Sequence, residues 1–336
     1  MAQRKQQTSN FGHESFKIER AVYSLKQGRF RLTAKALKTC LSKPYSVVFA
    51  LSAIAAVVLL KLFIRLVFNV DINESVDNFE TERQFTVRMN TFRRNHDLKV
   101  SVDSIAQCGA VAQIQIVWSD QSNPPPDLSI FAPHSRGLVR FERHATDSLN
   151  NRFKPLTMIT TEAVFSVDDD VLFSCDDLMF AFETWTMSKD TMVGFVPRLV
   201  TYESLLNRHE YKSWWFTWWN GAYNLVLTKA AFFHRKYLAY YSMLSDEILM
   251  HINNHRNCED IAMSMVVAKY SKSPPIWVSG KVKELGGVGI SSGSDHTKTR
   301  SQCIDHFNSV LGENPLVLSR HKYIPAKKMW FWTMGT

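Results

Sequence analysis

Beyond residue 43 this chain has almost no net charge. The total is +9, but residues 1–43 hold ten Lys/Arg against only Glu14 and Glu19, a net of +8, which leaves +1 for everything that follows. Nucleic-acid binding rests on neutralised phosphates, so a nearly neutral body argues against a nucleic-acid partner. The five cysteines have no zinc-site spacing, and the eleven histidines show no metal-ligand spacing. The run Gly286-Gly287-Val288-Gly289 is too short for a dinucleotide fingerprint and reads as a loop that can flex. Internal repeats and low-complexity tracts are missing too.

The longest apolar run begins at Pro44. Tyr45–Leu60 carries no charge, then Lys61 and Arg65 interrupt an apolar stretch that ends at Phe68. A bilayer needs roughly 20 residues of helix, which this stretch supplies if Lys61 and Arg65 snorkel to the interface. The basic flank precedes it, so the positive-inside rule puts the N-terminus in the cytosol. The run starts too far into the chain, and without a small-residue cleavage site, for a signal peptide. The sequence thus predicts a single-pass type II protein. It would have a cytosolic basic tail over 1–43, a transmembrane signal-anchor helix over 44–68, a polar stem over 69–83 and one luminal domain over 84–336. Cys108, Cys175, Cys258 and Cys303 would then lie where disulfides persist. Asn73-Glu74-Ser75 is a candidate glycosylation site.

Within the luminal domain, strand-like and helix-like segments alternate. Phe85–Met89, Ala112–Trp118, Val139–Phe141, Ala163–Val167 and Met192–Val196 read as strands, and Leu98–Cys108 and Leu178–Met187 as helices. This order predicts an α/β domain, with ligands bound beyond the carboxyl ends of its strands. Asp168-Asp169-Asp170 follows the apolar strand Ala163–Val167 directly. Alone, an acidic triplet is more often a solvated turn. At a strand end it is a cluster of hard oxygen ligands suited to Mg²⁺ or Mn²⁺ and, through the metal, to a diphosphate. Asn257-Cys258-Glu259-Asp260 opens an apolar helix, where acids either cap the helix or face a ligand. Arg300, three residues before Cys303, could bind a diphosphate through paired hydrogen bonds.

These constellations occur in the order seen in the exostosin-like glycosyltransferases, and from Phe85 to Phe307 the chain resembles that family. The matching stretches are Ser148–Phe153, Val167–Asp170, Val193–Arg198, Tyr223–Thr228, Asn257–Ile261 and Arg300–Cys303. The resemblance implies a GT-A fold, Rossmann-like and nucleotide-sugar-binding, and a retaining transfer dependent on Mn²⁺ (or Mg²⁺). It implies Asp170 as the metal ligand, Asp168 and Asp169 at the ribose or sugar, and Asp260 beside the anomeric centre. Asn257 and Glu259 would place the sugar, Arg300 would bind the diphosphate, and Arg94, Asn151 and Arg152 would face the donor. It also implies a Cys258–Cys303 disulfide, and leaves Cys108 and Cys175 without assigned partners. The chain departs from the family pattern at Arg93, at Ser119-Asp120 and at Asp147, where the family tends to asparagine.

In form the chain is most similar to the plant enzymes that mannosylate glycosyl inositol phosphorylceramides. This favours GDP-mannose as donor, a Golgi sphingolipid headgroup as acceptor and the Golgi membrane as location. A UDP-N-acetylhexosamine transferase building a glycan or glycolipid is the alternative within the class. A catalytically silent Golgi scaffold that binds nucleotide sugar is the alternative outside it. Retention requires either a double displacement through Asp260 or attack from the leaving-group face. The cluster Trp214-Trp215-Phe216-Thr217-Trp218-Trp219 reads as core packing, a subunit interface such as a homodimer's, or contact with an acceptor or lipid.

Overall fold

The computed structural model describes residue 48 and residues 51–60, 84–286 and 296–326. The tail, most of the anchor, the stem, Asn73, Gly287 and Gly289 lie outside the described residues. The chain divides into two units, Met1–Asp77 and Asn78–Thr336. In the first, residues 51–60 form an exposed helix. No helix among the described residues is long and apolar enough to cross a membrane.

The second unit runs through β1 (Phe85–Thr91), α1 (Asn95–Ile105), β2 (Val111–Trp118), the single turn α2 (Pro133–Arg136), β3 (Val139–Arg143), a 3₁₀ segment (Leu149–Phe153), β4 (Ala163–Asp168), β5 (Val171–Leu172) and α3 (Cys175–Thr186). It continues with β6 (Val193–Gly194), β7 (Pro197–Glu203), β8 (Arg208–Lys212), α4 (Trp214–Asn220), β9 (Leu225–Val226) and β10 (Ala230–His234). The last elements are α5 (Lys236–Ser242), α6 (Asp246–His255), α7 (Glu259–Ser271), β11 (Ile276–Val278), β12 (Lys283–Glu284), α8 (His296–Leu311) and β13 (Lys322–Tyr323).

Eight strands form the main sheet in the order β13-β11-β6-β10-β4-β1-β2-β3. β3, β2, β1 and β4 are mutually parallel, and β10 runs antiparallel to both β4 and β6. Side chains alternate across each strand. Phe85, Val87, Phe165, Val167 and Phe232 enter one core with Leu98 and Val102 of α1 and Phe182 of α3. Val164 and Phe233 enter the other, with Tyr237 and Tyr241 of α5, Ile252 of α6 and Ile261 of α7. A sheet covered on both faces explains why β4 is apolar at consecutive positions. Helix α7 is buried at every residue from Asp260 to Ala268, so its apolar run is that of a core helix.

The sequence placed most elements of the first half but missed β10. Its Ala-Ala-Phe-Phe sequence has no alternation, because both faces of a central strand are covered. The expected helix Leu178–Met187 begins earlier, at Cys175, because Ser174 caps it: its Oγ accepts from Asp177 N at 3.1 Å. The expected strand Met192–Val196 shrinks to Val193–Gly194. Gly194 packs so closely there that a Cβ would lie 2.5 Å from the Ala230 carbonyl oxygen. Cys108 pairs with Cys175, tying the end of the α1 segment to the start of α3.

Candidate active site

The parallel strands β1 and β4 end side by side, with Asn90 opposite Asp168. The acidic triplet therefore leaves the sheet at its carboxyl edge. Asp169 turns inward and is buried: its Oδ2 accepts from Thr91 Oγ1 at 2.6 Å and its carbonyl from Ser101 Oγ at 2.8 Å. Burial pushes its carboxyl up to about 6 against the opposing hydrogen bond from Thr91 and the charge of Arg94. Asp170 turns outward. One nitrogen of Arg94, Nη1, bridges Asp169 Oδ1 at 3.2 Å and Asp170 Oδ2 at 2.8 Å.

Arg152 comes from the 3₁₀ segment. Ser148 starts that turn by accepting from Asn150 N. The Arg152 guanidinium pairs with Asp168 and lies 3.6 Å from Glu259 Oε1. Burial works against ionisation of Asp168, but the Arg152 charge outweighs it and holds the carboxyl below its ordinary value. Beneath the turn lies Arg88 of β1, fully buried. Its Nε donates to the Arg152 carbonyl at 2.8 Å, its Nη2 to the Asn151 carbonyl at 3.1 Å and to Glu142 Oε1 at 3.0 Å, and its Nη1 to Gln115 Oε1 at 2.7 Å. Arg88 thus braces the turn that carries Arg152 through its backbone, and in residue order it shows only as a charge in an apolar strand.

Helix α7 delivers the second acidic pair. Arg256 and Cys258 both adopt left-handed backbone, at φ +46° and +77°, a conformation costly for residues other than glycine. The Cys258–Cys303 disulfide and the Asn257 side chain, whose Oδ1 accepts from Cys258 N at 2.8 Å, hold this turn. Asp260 then meets Arg300 of α8, with Oδ2 2.9 Å from Nη2. The same guanidinium donates to Tyr211 Oη at 3.2 Å and lies over that ring. Burial opposes the charge of Arg300, yet the Asp260 carboxylate raises its pKa further above the usual arginine value. Burial, then the adjacent Asp260, raises the Glu259 carboxyl above its ordinary value.

These groups line one cleft of about 560 Å³, within the size range of small-molecule sites. Arg94, Arg152, Asp168, Asp169, Asp170, Asn257, Glu259, Asp260 and Arg300 all face it. Asn151 does not: its amide donates to Ser119 Oγ and to the Thr146 carbonyl and so braces the turn. The structure adds Arg198, Lys229 and Arg256 to the cations of the cleft. Among the described residues Arg198 forms no ion pair; its Nη1 donates to the Pro197 carbonyl. Sequence order could not gather these residues, because they come from β7, the β9–β10 turn and the end of α6. The departures from the family pattern are absorbed locally. Arg93 pairs with the buried Asp120 at 2.8 Å, and Asp147 with Arg256 at 2.9 Å.

The donor set suits a hard divalent cation held in part by a ligand. Among the described residues no three His, Cys, Asp or Glu side chains converge as a metal cage. Asp170 presents an oxygen donor to the cleft, and with Asp169 it already holds one positive group, that of Arg94. Mg²⁺-like ions commonly take one or two protein carboxylates and complete their shell with water and substrate phosphates.

A cleft at the carboxyl ends of parallel strands, with carboxylates facing guanidinium groups, combines with the ordered motifs to define a glycosyltransferase of mixed α/β fold. The chain belongs to glycosyl transferase family 64, whose domain profile matches residues 85–330. It is 41% identical over 265 residues to glycosylinositol phosphorylceramide mannosyl transferase 1 of Arabidopsis thaliana, covering 75% of this chain and 79% of that protein. It is 34% identical over 250 residues to exostosin-2 of Homo sapiens, covering 72% of this chain and 34% of that one. It is 32% identical over 242 residues to glucosamine inositolphosphorylceramide transferase 1 of Oryza sativa subsp. japonica, covering 69% and 31%. The similarity thus reaches about a third of the length of the last two proteins.

Proposed function

We propose that the chain transfers mannose from GDP-mannose, with retention, to a glycosyl inositol phosphorylceramide headgroup, using a GT-A domain. The carrying observation is that one cleft gathers both acidic groups. The triplet after β4 and the Asp260–Arg300 pair line it together, Arg152 pairs with Asp168 and lies 3.6 Å from Glu259 Oε1, and Arg198 faces the same cleft. The similarity to a mannosyl transferase of the same lipid class supports the sugar and acceptor. Two disulfides in the catalytic unit suit an oxidising compartment. Together with the apolar stretch 44–68 and its basic flank, they support a type II protein of the Golgi membrane.

Asp170 would hold Mn²⁺ or Mg²⁺, which when bound supplies positive charge to the departing diphosphate. Arg198 and Arg300 donate hydrogen bonds to the same diphosphate, and preorganised donors of this kind stabilise charge as it develops. Asp168, fixed by Arg152, orients the ribose or sugar. Asp260, Glu259 and Asn257 all line the cleft; Asp260 would face the anomeric carbon, with Glu259 and Asn257 placing the sugar hydroxyls.

A second reading keeps the class and changes the donor to a UDP-N-acetylhexosamine. It is favoured by the similarity to a glucosamine inositolphosphorylceramide transferase. A donor panel with Mn²⁺ separates the two. The full chain is expected to hydrolyse GDP-mannose slowly and to transfer mannose to the lipid. Turnover of UDP-N-acetylglucosamine without turnover of GDP-mannose would overturn the first reading, and turnover of neither would favour a silent scaffold.

A further inference from the structure

Helix α4, Trp-Trp-Phe-Thr-Trp-Trp-Asn, turns its aromatic side chains outward. Trp214, Trp215, Phe216, Trp218 and Trp219 are each 45–73% exposed, and only Thr217 is buried. This excludes core packing as the role of the cluster. Residues three and four apart share a helix face, so the four indoles form one ridge. Centroids are 5.0 Å apart for Trp215–Trp218, 6.3 Å for Trp214–Trp218 and 6.4 Å for Trp215–Trp219. The helix itself carries no charged residue. It rests against β7 and β8 and ends at Gly221 in left-handed backbone, so the ridge is built rather than frayed.

Apolar surface of this extent is costly in water, and contiguous exposed patches mark interaction sites. The chemistry of the ridge selects what covers it. The rings demand an apolar neighbour, yet none of the four indole N–H groups has a hydrogen-bond acceptor among the described residues. A dry protein interface would have to provide an acceptor for each one. The headgroup layer of a bilayer offers ester and phosphate oxygens beside acyl chains, which is why tryptophan concentrates there. The sequence supplies such a surface through its apolar stretch 44–68. The ridge is also continuous with the catalytic cleft: Ser213 and Trp214 line the cleft beside Tyr211, the partner of Arg300.

We propose that the Trp214–Trp219 ridge seats in the headgroup layer of a lipid bilayer and so presents the cleft to an acceptor headgroup standing on that bilayer. This deepens the proposed function and rests on its lipid acceptor. Residues 44–68 contain no tryptophan, so tryptophan fluorescence of the full chain reports on the catalytic unit alone. The test reconstitutes the full chain into nanodiscs of brominated phosphatidylcholine, in a Trp330→Phe/Trp332→Phe background that silences the C-terminal indoles. Fluorescence is expected to be quenched. Trp215→Gln/Trp218→Gln/Trp219→Gln is expected to lose that quenching and transfer to bilayer-borne acceptor, while thermal unfolding and donor hydrolysis are retained. Unquenched fluorescence in the parent, or equal fractional quenching in the triple variant, overturns the seat. So does a ridge-dependent dimer or a captured protein partner that shields the indoles from the bromolipid. The quenching arm uses no substrate. Its failure with donor hydrolysis intact sinks the seat alone, and quenching without transfer to lipid sinks the acceptor reading alone.

Discussion

Arg300 Nη2 lies 2.9 Å from Asp260 Oδ2, and the disulfide between Cys258 and Cys303 links the same two helices beside that contact. The pair is buried, so removing one partner leaves the other uncompensated, at a cost of about 3–5 kcal/mol. Arg300→Met is expected to destabilise the catalytic unit by that amount, measured by urea unfolding. It should also lower turnover by about 10²–10³, the effect of losing one preorganised donor to developing negative charge. Arg300→Lys should recover much of the stability and little of the turnover, because an ammonium cannot reproduce the guanidinium fork that reaches Asp260 and Tyr211 together.

Arg88 is the corresponding support for Arg152. It does not line the cleft, yet it donates to the backbone of Arg152 and Asn151 and pairs with Glu142. Arg88→Met should cost about 3–5 kcal/mol of stability in denaturant titration. Donor affinity measured by calorimetry should fall with it, as the turn that carries Arg152 loses its anchor.

Arg198 faces the cleft without an ion-pair partner among the described residues. If it meets the donor diphosphate, Arg198→Gln should weaken nucleotide-sugar binding by about 1.5–3 kcal/mol, the worth of a hydrogen bond to a charged group. Its melting temperature should stay near that of the parent, since no buried carboxylate is orphaned. Unchanged donor affinity would remove Arg198 from the diphosphate site.

Asp170→Asn tests the metal. The side chain is partly exposed and its partner Arg94 retains Asp169, so the fold should survive. Stabilisation by donor nucleotide in thermal shift should lose its dependence on added Mn²⁺. A variant that still binds nucleotide in a Mn²⁺-dependent way would refute Asp170 as the ligand.

His251 gives a pH signature of stability. Burial first, then the adjacent His255 and His306, lower it from 6.5 to about 4. The unfolded chain therefore binds the proton more tightly than the folded one. Stability from this group is complete above about pH 6.5 and is lost as pH falls toward about 4. His251→Leu is expected to flatten that part of the stability-versus-pH curve, read by urea unfolding at several pH values.

Much of this protein could be read from residue order. The apolar strand Ala163–Val167 running into three aspartates, and the polar opening of the apolar helix at Asn257, depend on local pattern. Local pattern indicated the α/β alternation and the candidate acids, and the resemblance of several ordered motifs indicated the family. The rest needed the third dimension. β10 shows no alternation because both its faces are covered. The Cys108–Cys175 bridge joins residues 67 apart. Arg88 looks like a misplaced charge until Glu142 and the carbonyl of Arg152 are brought around it. Likewise the sequence held the six-residue aromatic cluster, but only packing decided that Thr217 turns inward and the rings outward. The physical reason is the same in each case. Periodicity and capping act within a few residues and are written in the chain. Burial, ion pairing and exposure depend on which distant segments close over a side chain, and only the folded sheet and its helices set that.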